Sequence, residues 1–134
     1  LWKGPVILKG ILDADDAEQA KQLGVEGIIV SNHGGRQLDG APSSIMALNK
    51  ISKRVGKHLE VYFDGGIRNG SDIIKALALG AKAVFVGRPY IYGLSALGYE
   101  GVKVMTEIFQ KELDVTLALC GEKNINNLGI KNIF

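Results

Sequence analysis

The sequence predicts an α/β fold built from consecutive strand-helix units, and three observations predict it. Four short apolar runs recur along the chain: Val6-Ile7-Leu8, Ile28-Ile29-Val30, Val61-Tyr62-Phe63 and Ala83-Val84-Phe85-Val86. Segments of helical character separate them, so the order reads β-α-β-α-β-α-β-α. Finally, Gly10-Ile11, Asp16, Ala20, Gly24 and Val30 return as Gly66-Ile67, Asp72, Ala76, Gly80 and Val86, each 56 positions on (10 to 66, 30 to 86). A repeat of that kind marks tandem βα units.

Each element has its own justification. The apolar runs are continuous rather than alternating, which predicts strands covered on both faces of a parallel sheet. Asp15-Asp16-Ala17-Glu18 resembles a capping box ahead of Ala20 and Leu23, and Gly24 stops that helix. Ser43 or Ser44 caps a second helix through Ile45, Leu48 and Ile51, and Ser71-Asp72 opens a third through Ile73, Ile74 and Leu77 up to Gly80. A last helix is expected from Tyr99 to Cys120, with Val102, Met105, Phe109, Leu113 and Cys120 on one stripe and Gly121 as its stop. Met105 and Cys120 are therefore read as core residues. Trp2, Tyr90, Tyr92 and Tyr99 are read as packing groups, and the tail from Asn124 as a capping turn or a frayed end.

Two details favour a barrel over an open sheet. Polar residues end every strand (Lys9, His33, Asp64, Arg88), and the last two strands run into glycine-rich turns, the places where (β/α)8 barrels keep their chemistry and bind phosphate. The 134 residues, 46% of them hydrophobic, allow one core, whereas an ordinary barrel needs about 250 residues. Sixteen basic against 14 acidic residues give a net charge of +2 with no basic stripe, so a nucleic-acid partner is not expected. The single Cys120 excludes an internal disulfide and a multi-cysteine metal site and fits a reducing compartment. No apolar run approaches the ~20 residues of a membrane span, and a cytoplasmic setting is expected. The opening Leu1-Trp2, without an initiating methionine, is read as a cut or a fragment boundary.

The chemistry concentrates in two places. Ser31-Asn32-His33-Gly34-Gly35-Arg36-Gln37-Leu38-Asp39-Gly40 follows the second strand and sets an imidazole three positions from a guanidinium. That is an acid/base group beside a carboxylate clamp. Asp64-Gly65-Gly66-Ile67-Arg68-Asn69-Gly70 and Gly87-Arg88-Pro89 follow the last two strands. Their glycines expose backbone N–H groups ahead of a helix start, and their arginines add charge, which makes a phosphate cradle. Asp64 would repel phosphate and suits a ligand hydroxyl. Lys9, leaving an apolar strand, either snorkels to solvent or meets a negative group. His58 lies in a hydrophilic connection and is read as solvated.

These residues, in this order and spacing, resemble the FMN-dependent 2-hydroxy acid oxidase and dehydrogenase family, which includes glycolate oxidase, lactate oxidase and the flavin domain of flavocytochrome b2. The likeness runs from Pro5 to about Cys120. It implies the carboxyl-terminal half of a TIM (β/α)8 barrel, with residues 1–134 as a single partial FMN-binding barrel domain of four βα units and a terminal helix. It also implies oxidation of a small L-2-hydroxy acid to the 2-oxo acid, with FMN as cofactor and no metal. By the resemblance, His33 is the catalytic base and Arg36 holds the substrate carboxylate. Lys9 sits at the flavin N1/O2 edge, Ser31 hydrogen-bonds the cofactor, and Asp64 meets the ribityl chain. Gly65, Gly66, Ile67, Arg68, Gly87 and Arg88 complete the cofactor-binding set around the phosphate. The early strands, the substrate-contacting tyrosines and the aspartate that pairs with the base fall outside the chain. Four strands alone leave two unpaired edges and an uncovered interior. Two alternatives therefore stay open: a half-barrel that binds FMN or another phosphate ligand without turnover, and an assembly piece that pairs with an amino-terminal half or with itself. Other phosphate-binding barrels, such as type 2 isopentenyl diphosphate isomerase or inosinate dehydrogenase, would explain the glycine turns but leave His33 and Arg36 unexplained.

Overall fold

The computed structural model describes residues 2–133; Leu1 and Phe134 lie outside the described residues. Strands β1 (Ile7–Ile11), β2 (Gly27–Val30), β3 (Glu60–Asp64) and β4 (Ala83–Phe85) form one sheet in the order β1-β2-β3-β4. Every neighbouring pair is parallel. Helices α1 (Ala14–Gln22), α2 (Ser44–Val55) and α3 (Gly70–Ala78) make the crossovers, and α4 (Arg88–Leu119) follows the last strand. This is the predicted alternation. The register of β1 on β2 slips between Lys9 and Ile11, where Gly10 takes a positive φ of 98°.

The internal repeat is a repeat of structure. Displacing α1 by 56 positions reproduces the bounds of α3, and the capping residues Asp13 and Asn69 correspond in the same way. Asp13 accepts from the Asp15 N–H at 2.7 Å, and Asn69 accepts from the Asp72 N–H at 2.9 Å. The caps thus lie two residues before Asp15 and Ser71, the starts read from sequence. In each case the residue that leaves the strand in extended conformation is the one whose oxygen can reach the free donors of the first turn. Ser43 caps α2 by position without a side-chain bond.

Burial alternates along the strands, contrary to the expectation of two covered faces. Ile28, Val30, Val61 and Phe63 are at most 2% exposed and pack with Leu48, Ile51 and Val55 of α2 and Ala17 and Ala20 of α1. Ile7 and Phe85, on the other face, are 47% and 50% exposed. Helices cover one face only, and the apolar residues of the second face belong to a barrel interior that these four strands do not enclose.

Helix α4 begins eleven residues before the predicted Tyr99, at Arg88. It breaks at Leu97 and Gly98, whose φ is 59°, so that 88–96 and 99–119 are separate helical stretches, and the predicted helix is the second of them. Gly93 and Gly101 let the two stretches touch: a Cβ on Gly101 would lie 1.9 Å from the Gly93 carbonyl oxygen. Phe109 and Leu117 are buried and Met105 packs against the core, whereas Cys120 is only half-buried. Trp2, Tyr90, Tyr92 and Tyr99 are 41% to 78% exposed, so these aromatics do not pack as expected. The tail forms two short 3-10 turns, Ile125–Asn127 and Ile130–Asn132. Among the described residues no helix is long and apolar enough to cross a membrane.

Candidate active site at the strand ends

Parallel strands deliver their last residues to one end of the sheet, and there the chain forms a cleft of about 370 Å³. Lys9, His33, Arg36, Asp64, Gly65, Gly66, Ile67, Arg68, Gly87 and Arg88 all line it. Ser31, the remaining predicted site residue, is 1% exposed and lies at the end of β2. Gly34, Phe85, Val86, Pro89 and Ile91 complete the lining. Of these, Phe85 could have been found by counting in twos along β4. Ile91 could not, because the helix start at Arg88 was hidden by a Gly-Arg-Pro sequence that reads as a turn.

Lys9 meets a negative group. Its Nζ is 2.6 Å from Asp64 Oδ2 and donates to Ser31 Oγ at 2.8 Å. Ser31 Oγ in turn donates to Asp64 Oδ1 and accepts from the His33 N–H at 3.1 Å. The pairing with Lys9 offsets the charge by which Asp64 would repel an anion. Arg36, Arg68 and Arg88 make no salt bridge among the described residues. The cleft therefore holds three uncompensated guanidiniums, enough to balance a phosphate monoester of nearly two negative charges and one carboxylate.

The turns supply donors as well as charge. The N–H groups of Gly66, Ile67, Gly87 and Arg88 have no acceptor among the described residues. At Gly66 (φ 91°) and Gly87, a Cβ would meet nothing within 4 Å, so no protein atom crowds these backbone positions on that side. Gly87 precedes the first turn of α4, which has no side-chain cap. That helix start is electropositive. Donors around the start of α3 are largely taken: Arg68 N–H donates to Asp72 Oδ2 at 3.0 Å, Gly70 N–H to Glu112 Oε2 at 2.8 Å and Asp72 N–H to Asn69 Oδ1 at 2.9 Å. An anion would thus be held between the β3 turn and the beginning of α4. This donor set fits the phosphate of a flavin mononucleotide.

His33 opens a 3-10 turn, His33–Gly35, and is the one non-glycine residue with positive φ (56°) among the described residues. Such a conformation is costly for a side chain with a Cβ and concentrates at functional sites. Its imidazole is exposed and makes no hydrogen bond within the described chain. Arg88 Nη2 donates to the Gly34 carbonyl at 3.3 Å, tying the β2 loop to the phosphate side of the cleft.

The fold and cleft together define part of a (β/α)8-type barrel with its reactive groups at the carboxyl ends of the strands. The chain belongs to the FMN-dependent dehydrogenase family, whose sequence model matches residues 1–133. It is 50% identical over 127 residues to the L-lactate dehydrogenase of Caulobacter sp. (strain K31), covering 95% of this chain and 33% of that protein. Against 2-hydroxyacid oxidase 1 of Mus musculus it is 53% identical over 121 residues, covering 90% and 33%. The crystal structure of mandelate oxidase superposes with a TM-score of 0.89 at 45% identity, over 96% of this chain and 40% of that one. The chain spans about a third of the length of the curated relatives it matches.

Proposed function

We propose that this chain carries the cofactor cradle and the base of an FMN-dependent oxidation of a small L-2-hydroxy acid to the 2-oxo acid. One observation carries the reading: an imidazole, three guanidiniums without a salt bridge and four N–H groups without an acceptor among the described residues meet in a single cleft. Gly65, Gly66, Arg68, Gly87 and Arg88 hold the phosphate, with Ile67 contributing its N–H, and Asp64 meets the ribityl hydroxyls. Lys9, fixed by Asp64 and Ser31, presents positive charge toward the flavin ring. Arg36 grips the substrate carboxylate in bidentate fashion. His33, three residues away, accepts one substrate proton. When bound, FMN supplies the two-electron acceptor for the reaction.

The relatives named L-lactate dehydrogenase, 2-hydroxyacid oxidase and mandelate oxidase support a 2-hydroxy acid as substrate class. The unpaired edges of β1 and β4 and the uncovered face fit completion by further βα units, from an amino-terminal half or a second copy. The single Cys120 fits a reducing, cytoplasmic setting.

A visible absorption titration of the protein with FMN, followed by anaerobic L-lactate or glycolate, tests the reading. Saturable perturbation of the flavin bands and bleaching by the hydroxy acid are expected. Unperturbed bands at high micromolar protein would refute the cradle. Perturbation without bleaching would reduce the chain to an FMN-binding unit.

A further inference from the structure

We infer that Ser31 is a positioning residue for His33: its hydroxyl fastens the peptide of the proposed base to the Lys9–Asp64 ion pair. The inference deepens the proposed function and rests on it for the role of His33. It follows from counting what one hydroxyl can do. An ammonium and a peptide N–H can only donate, and a carboxylate can only accept. Ser31 Oγ accepts from Lys9 Nζ at 2.8 Å and from the His33 N–H at 3.1 Å, and it gives its proton to Asp64 Oδ1. Both lone pairs and the one proton are therefore committed within the protein. A direct bond from Ser31 to the cofactor, as the resemblance implies, would displace one of these partners, and Lys9, which stays paired with Asp64 at 2.6 Å, is the one that can release it while the His33 bond remains.

Ser31 is also in a place where a positioning bond is effective. It is 1% exposed and continues β2, whose Val30 is fully buried, so the hydroxyl is fixed to the rigid sheet. His33 is exposed and sits at φ 56°, a conformation that needs outside support. Its own N–H bond to Ser31 is that support. The three partners come from the ends of β1, β2 and β3, so the bond ties the base to the same pair of charges that fixes Lys9 toward the cleft. A hydroxyl that merely filled space in the core would need none of this.

Amide hydrogen exchange on the full protein, with Ser31→Ala, tests it and does not depend on turnover. The His33 N–H is expected to exchange at least about tenfold faster, while the Ile29 and Tyr62 amides in the sheet and the Gly35 N–H, which donates to the Asn32 carbonyl at 3.0 Å, keep their rates. Ser31→Thr, which retains the hydroxyl, should restore protection at His33. Should Ser31→Ala fail to fold, the nearly isosteric Ser31→Cys, a weaker acceptor, is expected to show the same selective loss. His33 exchange that is unchanged in a folded Ala or Cys variant overturns the inference, whether or not FMN affinity falls. Retained flavin reduction in His33→Ala would instead sink the proposed function and leave the exchange result standing.

Discussion

The loop after β2 and the turn after β3 leave neighbouring strands of one sheet, yet they are built in opposite ways. The β3 turn is short and anchored on both sides of its open Gly66 and Ile67 N–H groups: Ser44 Oγ donates to the Gly65 carbonyl at 3.2 Å, Asn69 caps α3, and Glu112 of α4 reaches the Gly70 N–H. The β2 loop, from Ser31 to Ser43, is longer, and every residue from Gly35 to Gly40 is exposed. Its links to the rest of the chain are few, chiefly Ser31, through Lys9, Asp64 and the Ile11 carbonyl, and the Arg88 contact to Gly34, while Asn32 Nδ2 to the Pro42 carbonyl ties the loop to itself. The difference fits the division of labour in the proposed function. Under the proposed function a phosphate cradle made largely of backbone gains from being ordered before the ligand arrives, and the ties around the β3 turn suit that role. A base and a carboxylate clamp on a loop are positioned partly by what packs over them, and the described residues place little there.

The widest separation between the two regions should appear in rate. His33→Ala is expected to slow substrate-dependent flavin reduction by roughly 10²- to 10⁴-fold, the usual contribution of a general base. FMN affinity should be unchanged, as measured by stopped-flow reduction beside an equilibrium titration. Reduction slowed equally in a variant of the β3 turn and not in His33→Ala would erase the distinction.

Next in size is the same substitution made in each region. A Cβ at Gly65 (φ 95°) would lie 2.7 Å from Ser44 Oγ and 2.9 Å from Asn32 Oδ1. At Gly35 (φ 73°) it would meet nothing within 4 Å. Gly65→Ala therefore adds overpacking to the left-handed penalty and should cost about 2–4 kcal/mol. Gly35→Ala carries the penalty alone, about 1–2 kcal/mol. Urea denaturation of the two variants measures the gap, and equal losses would mean that the β3 turn yields as easily as the loop.

The smallest effect lies outside both regions and serves as their control. Hydrogen bonds from Lys131 and then Asn132 hold the Glu122 carboxyl below its ordinary value of 4.5. Because the folded value is the lower one, this stabilisation is present above the ordinary value and is lost as pH falls through the folded value. Tm of the wild type relative to Glu122→Gln should accordingly be higher at pH 6 and converge in the acid range below about 4.5. A difference that grows on acidification would contradict the assigned sign. FMN binding near neutral pH should not notice the substitution.

Most of the fold was legible because repetition is a sequence property: Gly10, Asp16, Ala20 and Gly24 recur as Gly66, Asp72, Ala76 and Gly80 in matching structural positions. The caps were misplaced because Asp13, Asp15 and Asp16, or Asn69, Ser71 and Asp72, are all competent by type, and the angle at which the strand enters the helix decides among them. Ten of the eleven predicted site residues line one cleft since each ends a parallel strand or begins the turn after it. The hydrogen bonding of the Ser31 hydroxyl could not be read, since two of its three partners lie 22 and 33 positions away and meet it only in the folded sheet. Nor could the exposure of Tyr92 and Tyr99, because an aromatic side chain carries no mark of whether its neighbours lie within the same four units.

The central claim is that the β3 and β4 turns bind the cofactor while the β2 loop does the chemistry. Its most direct test is FMN affinity, measured by fluorescence titration, of two double variants. His33→Ala with Arg36→Ala should bind FMN within about threefold of wild type, whereas Arg68→Ala with Arg88→Ala should lose at least about tenfold, as expected for charge-assisted phosphate contacts. Loss of affinity in the first pair with retention in the second would contradict the account.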